Sequence, residues 1–224
     1  MLQHRDRHRD RAGRHWRGRL RAALGAVAVI AFTSPPALAH HAMGSATPRT
    51  ALEGLLSGLA HPIIGLDHLA FVVGAGILAA GLRGGAVLPL FFLASMAGGS
   101  GLHAAGVGLP GAELGVAVSV LVMAALVLWR KPVPFAVAAA FFAVAGLLHG
   151  HALAESIVGA EPSPLVMYLV GLVAVQYAIA LAALHAFQAL AARPPVARWA
   201  SMTAGAAALA IAVFALLGSG LPWA

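Results

Sequence analysis

Apolar residues run along most of this chain in long stretches, separated by short clusters of charged residues, proline and glycine. After residue 60 we predict six such stretches, at about 61–82, 86–108, 113–129, 133–153, 164–190 and 198–218. Each is close to the roughly 20 residues that a helix needs to cross about 30 Å of hydrocarbon. The runs do not alternate in polarity as the strands of a membrane β-barrel do. The pattern predicts an all-α integral membrane protein, a bundle of six transmembrane helices.

The first 39 residues have a different pattern, which is typical of an export signal. A basic segment, residues 1–21, precedes an apolar stretch at 22–33 that is too short to span a membrane. Two prolines follow, and then Ala37-Leu38-Ala39, an A-x-A cleavage sequence. We predict a cleavable signal peptide over residues 1–39 and a mature transmembrane domain over residues 40–224. An uncleaved N-terminal anchor is the alternative.

Composition supports a membrane protein and excludes several other classes. Hydrophobic residues make up 61% of the chain and charged residues only 9%, with a mean hydropathy of +0.89, whereas soluble domains carry about 25% charged residues. The net charge is +7, but eight of the 14 Lys and Arg residues lie in residues 1–21. The remainder is nearly neutral, which argues against nucleic acid as a partner. Without cysteine, the chain has no disulfide, thiolate ligand or cysteine nucleophile.

The basic residues between the predicted spans give an orientation. The loops at 109–112 and 154–163 contain no Lys or Arg, whereas the loops after the first, third and fifth spans carry Arg83, Arg130, Lys131, Arg193 and Arg198. Lys and Arg accumulate on the cytoplasmic side of membrane proteins. We predict a multi-pass protein of the bacterial inner membrane, with the mature N-terminus and the C-terminus on the periplasmic side.

The first predicted span opens with two histidines and an aspartate, in His61-Pro62-Ile63-Ile64-Gly65-Leu66-Asp67-His68. An ionisable residue inside a span costs about 2.5–3.5 kcal/mol or more, so each is a functional candidate. In a continuous helix beginning near Pro62, His61 and His68 lie on one face, about 10 Å apart along the axis. Imidazole and carboxylate together suit first-row divalent metals. We predict a metal site here, against the alternative of a structural role.

The end of the fourth predicted span carries a second set of candidate ligands. His151 and Glu155 are four residues apart and share a helix face, whereas His149 points roughly opposite to His151 unless the helix distorts at Gly150. The predicted orientation places this end near the start of the first span. We therefore expect the two sets to face each other across the bundle.

Two further residues are less certain candidates. Glu113 begins the third span, where a carboxylate either stabilises the helix N-terminus or belongs to an ion path. His103, near the end of the second span, is either a hydrogen-bonded packing residue or a metal ligand.

Three segments carry a resemblance to a known family. They are HPIIGLDH (61–68), LPGAELGVAVSVLV (109–122) and HGHALAESIVGAEPSPLVMYLVGLVAVQ (149–176). The first is similar to the His-x5-Asp-His signature of the HupE/UreJ family of nickel/cobalt permeases, and the others resemble its third span and the region around its fourth and fifth spans. The resemblance covers nearly the whole mature chain.

The resemblance implies inward transport of Ni²⁺ or Co²⁺ to supply metalloenzymes such as hydrogenase or urease. The metal is then a cargo rather than a permanently bound cofactor, and the protein is not an enzyme. The matching positions are His61, Asp67, His68, His149 and, more loosely, Glu113.

The chain departs from the family's second motif, His-Gly-x-Ala-His-Gly-x-Glu. Leu153, Ala154 and Ser156 stand at its fifth, sixth and eighth positions. Glu155 stands one place early and His151 is an additional histidine. Either the site is rebuilt from His151 and Glu155, or the metal differs.

Two other functions are kept as alternatives. A membrane protein that binds metal without transporting it, such as a sensor or a metallochaperone partner, would use the same ligands. Gly98-Gly99-Ser100-Gly101 fits the G-x-S-G pattern of rhomboid intramembrane serine proteases, but the asparagine of that family's site is absent, since this chain contains no Asn. The oligomeric state is open, a homo-oligomer included. The partners expected are the lipid bilayer and a divalent metal ion.

Overall fold

The computed structural model describes residues 47–218, so the predicted signal peptide lies outside the described residues. Seven helices make up this part of the chain: α1 Ala51–Ile64, α2 Leu66–Ala80, α3 Leu88–Ala104, α4 Ala112–Trp129, α5 Phe135–Ala154, α6 Pro162–Ala191 and α7 Pro194–Gly218. Short 3₁₀ turns, Gly85–Val87 and Glu155–Ile157, precede α3 and follow α5. No strand occurs within residues 47–218.

Five of these helices are long and apolar enough to cross a membrane, and α1 with α2 makes a sixth span if the bent pair is counted as one. Large apolar side chains point away from the protein, with Trp129, Val144 and Leu217 61–64% exposed. Hydrocarbon solvates such side chains, and helices satisfy their own backbone hydrogen bonds there. The predicted all-α membrane fold is confirmed, and α3 to α7 begin and end within a few residues of the predicted spans.

The first predicted span is wrong in its bounds and in its continuity. The chain becomes helical at Ala51, because Thr50 and Glu53 form a capping box. Thr50 accepts the Glu53 N–H at 3.2 Å, and the Glu53 carboxylate accepts the Thr50 N–H at 3.2 Å. This reciprocal pair satisfies backbone donors that the first helical turn leaves without partners. The helix therefore begins ten residues before the predicted 61.

The same segment then bends by 78° at Gly65, between α1 and α2. Pro62 lies in the last turn of α1 rather than in a first turn, and it lacks the N–H that would continue the ladder. Gly65 is extended, with φ −73° and ψ 97°. Its N–H donates to the His61 carbonyl at 2.9 Å, and its carbonyl accepts the Leu69 N–H at 2.9 Å. The bend thus keeps its backbone hydrogen bonds inside the protein.

Glycines set how closely α3 and α5 approach. A Cβ on Gly150 would lie 1.9 Å from the Met96 carbonyl oxygen, and one on Gly146 would lie 2.2 Å from the Phe92 carbonyl oxygen. Phe92 contacts Gly146, and Met96, one turn later, contacts Gly150, one turn later, so α3 and α5 run in the same direction. Small residues permit this backbone contact in lipid, where close packing drives association.

Helix α6 packs along both arms of the bent segment. Gly58 of α1 lies against the Tyr168 backbone, and Gly76 of α2 lies against the Ala180 backbone. With 30 residues, α6 is about 45 Å long at about 1.5 Å per residue. One long helix therefore supports the chain on both sides of Gly65.

Two neighbouring glycines on α3 test the close packing. A Cβ on Gly99 would lie 2.1 Å from the Leu147 carbonyl oxygen, whereas one on Gly98 would meet nothing within 4 Å. We expect Gly99→Ala to destabilise the protein by about 1–3 kcal/mol, as overpacking does. We expect Gly98→Ala to be neutral or to stabilise by about 0.5–1 kcal/mol through helix propensity. Thermal unfolding in detergent measures both, and equal shifts for the two variants would contradict the packing described.

Candidate metal site

Three histidines from distant parts of the sequence meet beside the bend. His61 lies in the last turn of α1, His68 in the first turn of α2 and His149 near the end of α5, each at most 4% exposed. The ring centroids of His68 and His149 are 4.8 Å apart, and those of His61 and His68 are 6.0 Å apart. With the neighbouring Asp67, we call this group the bend cluster. Of the three fourth-span candidates, the structure brings His149 to the first-span residues.

A hydrogen-bonded chain fixes the rings of the bend cluster. The Ser119 hydroxyl of α4 donates to the Val116 carbonyl at 2.7 Å, so its oxygen accepts from His149 Nε2 at 2.8 Å. The neutral His149 ring then has its lone pair on Nδ1, which lies 2.7 Å from His68 Nδ1. His68 therefore donates through Nδ1.

Asp67 brings a carboxylate to the Nε2 side of the His68 ring. Its Oδ1 accepts the His68 backbone N–H at 2.9 Å and lies 3.9 Å from His68 Nε2. Bonds of about 2.0–2.2 Å, as divalent Zn²⁺ makes to nitrogen and oxygen, would let one ion touch both atoms. A Cβ on Gly65 would lie 2.9 Å from the His68 ring and 3.4 Å from Asp67 Oδ1. The glycine at the bend therefore leaves room beside both ligands.

Tyr168 holds the third histidine. Its hydroxyl lies 3.3 Å from His61 Nδ1, 3.1 Å from the Leu153 carbonyl and 3.0 Å from the Ser156 hydroxyl. Tyr168 is fully buried. The contact ties α1, α5 and α6 together at the level of the bend.

Aromatic rings enclose His149. Phe71 and Phe92 stack with ring centroids 4.7 Å apart, and their centroids lie 4.8 and 5.3 Å from that of His149. These rings exclude water from the cluster on that side. Electrostatic interactions are stronger in such a low-dielectric environment.

The other two candidate histidines, His103 and His151, form a separate group, which we call the loop pair. His103 Nδ1 lies 3.4 Å from His151 Nδ1, and the ring centroids are 4.5 Å apart. His151 Nε2 lies 3.0 Å from the Val107 carbonyl oxygen and 3.1 Å from the Leu109 N–H nitrogen. His149 and His151 lie about 200° apart around a continuous helix, so they face different neighbours. No distortion at Gly150 is needed to bury both.

The two candidate glutamates lie outside both groups. Glu113, at the start of α4, and Glu155, in the 3₁₀ turn after α5, are exposed. His151 is buried whereas Glu155 is exposed, and no ion pair joins these two described residues, so a site rebuilt from both stays a prediction. In residues 47–218, no group of three or more His, Asp or Glu side chains is close enough to hold a metal ion. An ion at the bend cluster would therefore complete its coordination with water or by drawing side chains inward.

Sequence reasoning missed three residues of this region. Ser119 and Tyr168 contact the bend cluster, and Gln176 is 1% exposed on α6. The Gln176 amide donates to Met96 Sδ at 3.1 Å, while its oxygen has no hydrogen-bond partner among the described residues. Each is a polar side chain in an apolar run, which is the signal that could have found them.

The G-x-S-G segment does not form a serine–histidine pair. Ser100 is buried, and its hydroxyl donates to the Gly150 carbonyl at 2.8 Å. Within the described residues, Ser100 makes no hydrogen bond to a histidine. The segment belongs to the close contact between α3 and α5.

Comparisons with known proteins point to one family. A family model described as HupE / UreJ protein matches residues 27–216. A curated relative, Protein HupE of Rhizobium leguminosarum bv. viciae, is 36% identical over 124 residues, which is 54% of this chain and 62% of that protein. The alignment thus spans less than two thirds of the relative's length. No solved structure matches the chain.

Ser119 provides a test of the hydrogen-bonded chain. Ser119→Ala removes the acceptor of the His149 Nε2–H, so we expect the ring to populate both neutral tautomers. Ser119→Thr keeps a hydroxyl and should keep the wild-type tautomer. Imidazole ¹⁵N chemical shifts of histidine-labelled protein distinguish the two tautomers. Ser100→Ala is the matched control, and unchanged His149 shifts in Ser119→Ala would overturn the assignment.

Proposed function

This chain belongs to the HupE/UreJ family, and from that membership and the bend cluster we propose that it transports Ni²⁺ or Co²⁺ across the bacterial inner membrane into the cytoplasm. The family is linked to nickel and cobalt uptake for hydrogenase and urease. The ion is the cargo, and the metalloenzyme that it reaches is the destination. The family is transport-related, which favours a permease over an enzyme.

The contact between His68 and His149 is the observation that carries this proposal. It joins residues 81 positions apart and is buried among apolar helices. Ionisable side chains at membrane depth are expensive and mark ion paths. The cluster also sits at a break in a helix, and transporters commonly bind ions where helices are interrupted near the substrate site.

The ligand chemistry suits a passing ion. Asp67 is partly exposed and would meet the cation first, and His68 Nε2 lies 3.9 Å from its Oδ1. To reach His149 Nδ1, the ion has to displace the hydrogen bond from His68. Binding therefore competes with an existing contact, which limits its strength and allows release, as conduction requires. The absence of thiolates in the whole sequence disfavours Cu⁺.

The distribution of basic residues supports an inward direction of transport. It favours a periplasmic location for the start of α1, together with both termini of the mature chain. A membrane potential that is negative inside then drives a cation inward, with about 2.3 kcal/mol per charge per 100 mV. A divalent ion gains twice that amount.

Cellular accumulation of radiolabelled Ni²⁺ and Co²⁺ at nanomolar concentration tests the proposal. We expect His68→Ala and Asp67→Asn each to lower uptake at least about tenfold, since ligand loss weakens metal sites by such factors. Asp67→Asn keeps an oxygen for the His68 N–H, so its effect reports the charge. His185→Ala is the matched control, because His185 is exposed on α6 and lies outside both histidine groups.

Expression of every variant is checked by blot, so that uptake is compared at equal protein. No accumulation above an empty vector for the wild-type protein would overturn transport. If the purified protein nevertheless bound Ni²⁺ or Co²⁺, the alternative of a metal-binding protein without flux, such as a sensor or metallochaperone partner, would replace it.

A further inference from the structure

We propose that the loop pair, His103 and His151, forms a second metal site that is distinct from the bend cluster and binds borderline divalent cations such as Ni²⁺, Co²⁺ or Zn²⁺. As a step on the transport path, this inference rests on the proposed function. As a binding site, it stands on the geometry of the two rings alone.

The spacing of the two rings fits a shared ion. Two imidazole nitrogens that each bind one ion at about 2.0–2.1 Å with a tetrahedral angle stand about 3.4 Å apart. His103 Nδ1 and His151 Nδ1 are 3.4 Å apart, which is long for a hydrogen bond. The corresponding atoms of His68 and His149 are 2.7 Å apart, an ordinary hydrogen-bond length. The loop pair therefore has the spacing of ligands, whereas the bend cluster has that of a donor and an acceptor.

The backbone holds the far side of the His151 ring. His151 Nε2 accepts the Leu109 N–H at 3.1 Å and lies 3.0 Å from the Val107 carbonyl oxygen, so two backbone groups hold this side of the ring. An ion on Nδ1 would place the hydrogen of the neutral ring on Nε2, facing the Val107 carbonyl, and would replace the Leu109 contact. Metal-ligating histidines usually donate their other N–H to a carbonyl or carboxylate, which orients the ring. The loop itself is tied to α3, because the Val107 N–H donates to the Leu102 carbonyl at 3.0 Å.

The two helices that carry the pair are fixed with respect to each other. A Cβ on Gly99 would lie 3.0 Å from the His151 backbone nitrogen, so α3 and α5 touch one turn below the rings. Because both helices run in the same direction, their last turns lie at the same end. The spacing of the pair is thus set by backbone packing rather than by long flexible side chains.

The surroundings of the pair favour a cation from water. His103 is half-buried and His151 is buried, so the site lies at the edge of the helices rather than in their core. The segments 105–111 and 155–161 at this end contain no Lys or Arg. The exposed carboxylates of Glu113, Glu155 and Glu161 lie in or next to these segments. Negatively charged carboxylates near a site raise the local concentration of cations.

The donor set determines which cations bind. Two neutral nitrogens favour Ni²⁺, Co²⁺, Cu²⁺ and Zn²⁺, whereas Mg²⁺ and Ca²⁺ prefer oxygen. With two protein ligands, the ion keeps several waters and is held weakly. On the proposed transport path, such a site would select transition metals from abundant Mg²⁺ before they reach the bend cluster.

Equilibrium dialysis with ⁶³Ni²⁺ tests the site in protein purified without a histidine tag. The His68→Ala/His149→Ala double variant disables the bend cluster. We expect it to keep one class of bound Ni²⁺ that millimolar Mg²⁺ does not displace. Adding His103→Gln should remove this class or weaken it at least about tenfold. Adding His185→Gln instead should leave the amount and affinity of bound Ni²⁺ unchanged. Any Ni²⁺ bound by His40 and His41 is common to all three proteins and cancels in the comparison.

Identical Ni²⁺ stoichiometry and affinity with and without His103→Gln would overturn the second site. Gln keeps a polar side chain at this half-buried position, and thermal unfolding verifies that the variant is folded. Uptake then tests whether the loop pair lies on the transport path. His103→Gln alone should raise the apparent KM for Ni²⁺ uptake at least threefold and leave the maximal rate within twofold. An unchanged KM would overturn that role and leave the binding result intact. Failure of transport in the wild-type protein would remove the proposed function without touching the dialysis result.

Discussion

A histidine ring that leaves water for hydrocarbon must find its hydrogen-bond partners inside the protein. His68 is hydrogen-bonded to His149, His149 to Ser119, and His61 to Tyr168. These contacts join helices α1, α2, α4, α5 and α6, so the polar groups determine which helices meet around the bend. The apolar residues outside this region can be exchanged for others of similar size, but the rings require these particular neighbours.

The bend at Gly65 and the histidine cluster depend on each other. The break releases the chain from helical geometry, and His61 and His68 then approach to 6.0 Å between ring centroids instead of lying two turns apart. Gly65 also leaves the space that a side chain would take from the His68 ring. A helix break inside a membrane is tolerated where protein covers it, and the long helix α6 supplies that cover on both sides.

The sequence is sufficient to predict the helical membrane fold, because long apolar runs leave few other structures. It also identifies the ionisable residues, because such side chains are rare in spans. It does not predict the bend, since Pro62 suits the first turn of a helix, whereas the structure places it in the last turn of a helix that begins at Ala51. Nor does it separate His149 from His151, because the neighbours of each ring come from helices distant in sequence. Ser119 was missed for the same reason: its contact with His149 is visible only when α4 and α5 are placed together.

The length of α6 has a mechanical consequence. At about 45 Å it exceeds the roughly 30 Å of hydrocarbon, so it tilts, protrudes or both. A thicker bilayer lets such a helix stand upright, and a thinner one makes it lean. Because the two halves of α6 pack on the two arms of the bent segment, both arms share the tilt that α6 adopts. The depth of the histidines in the bilayer is therefore tied to the tilt of this one helix.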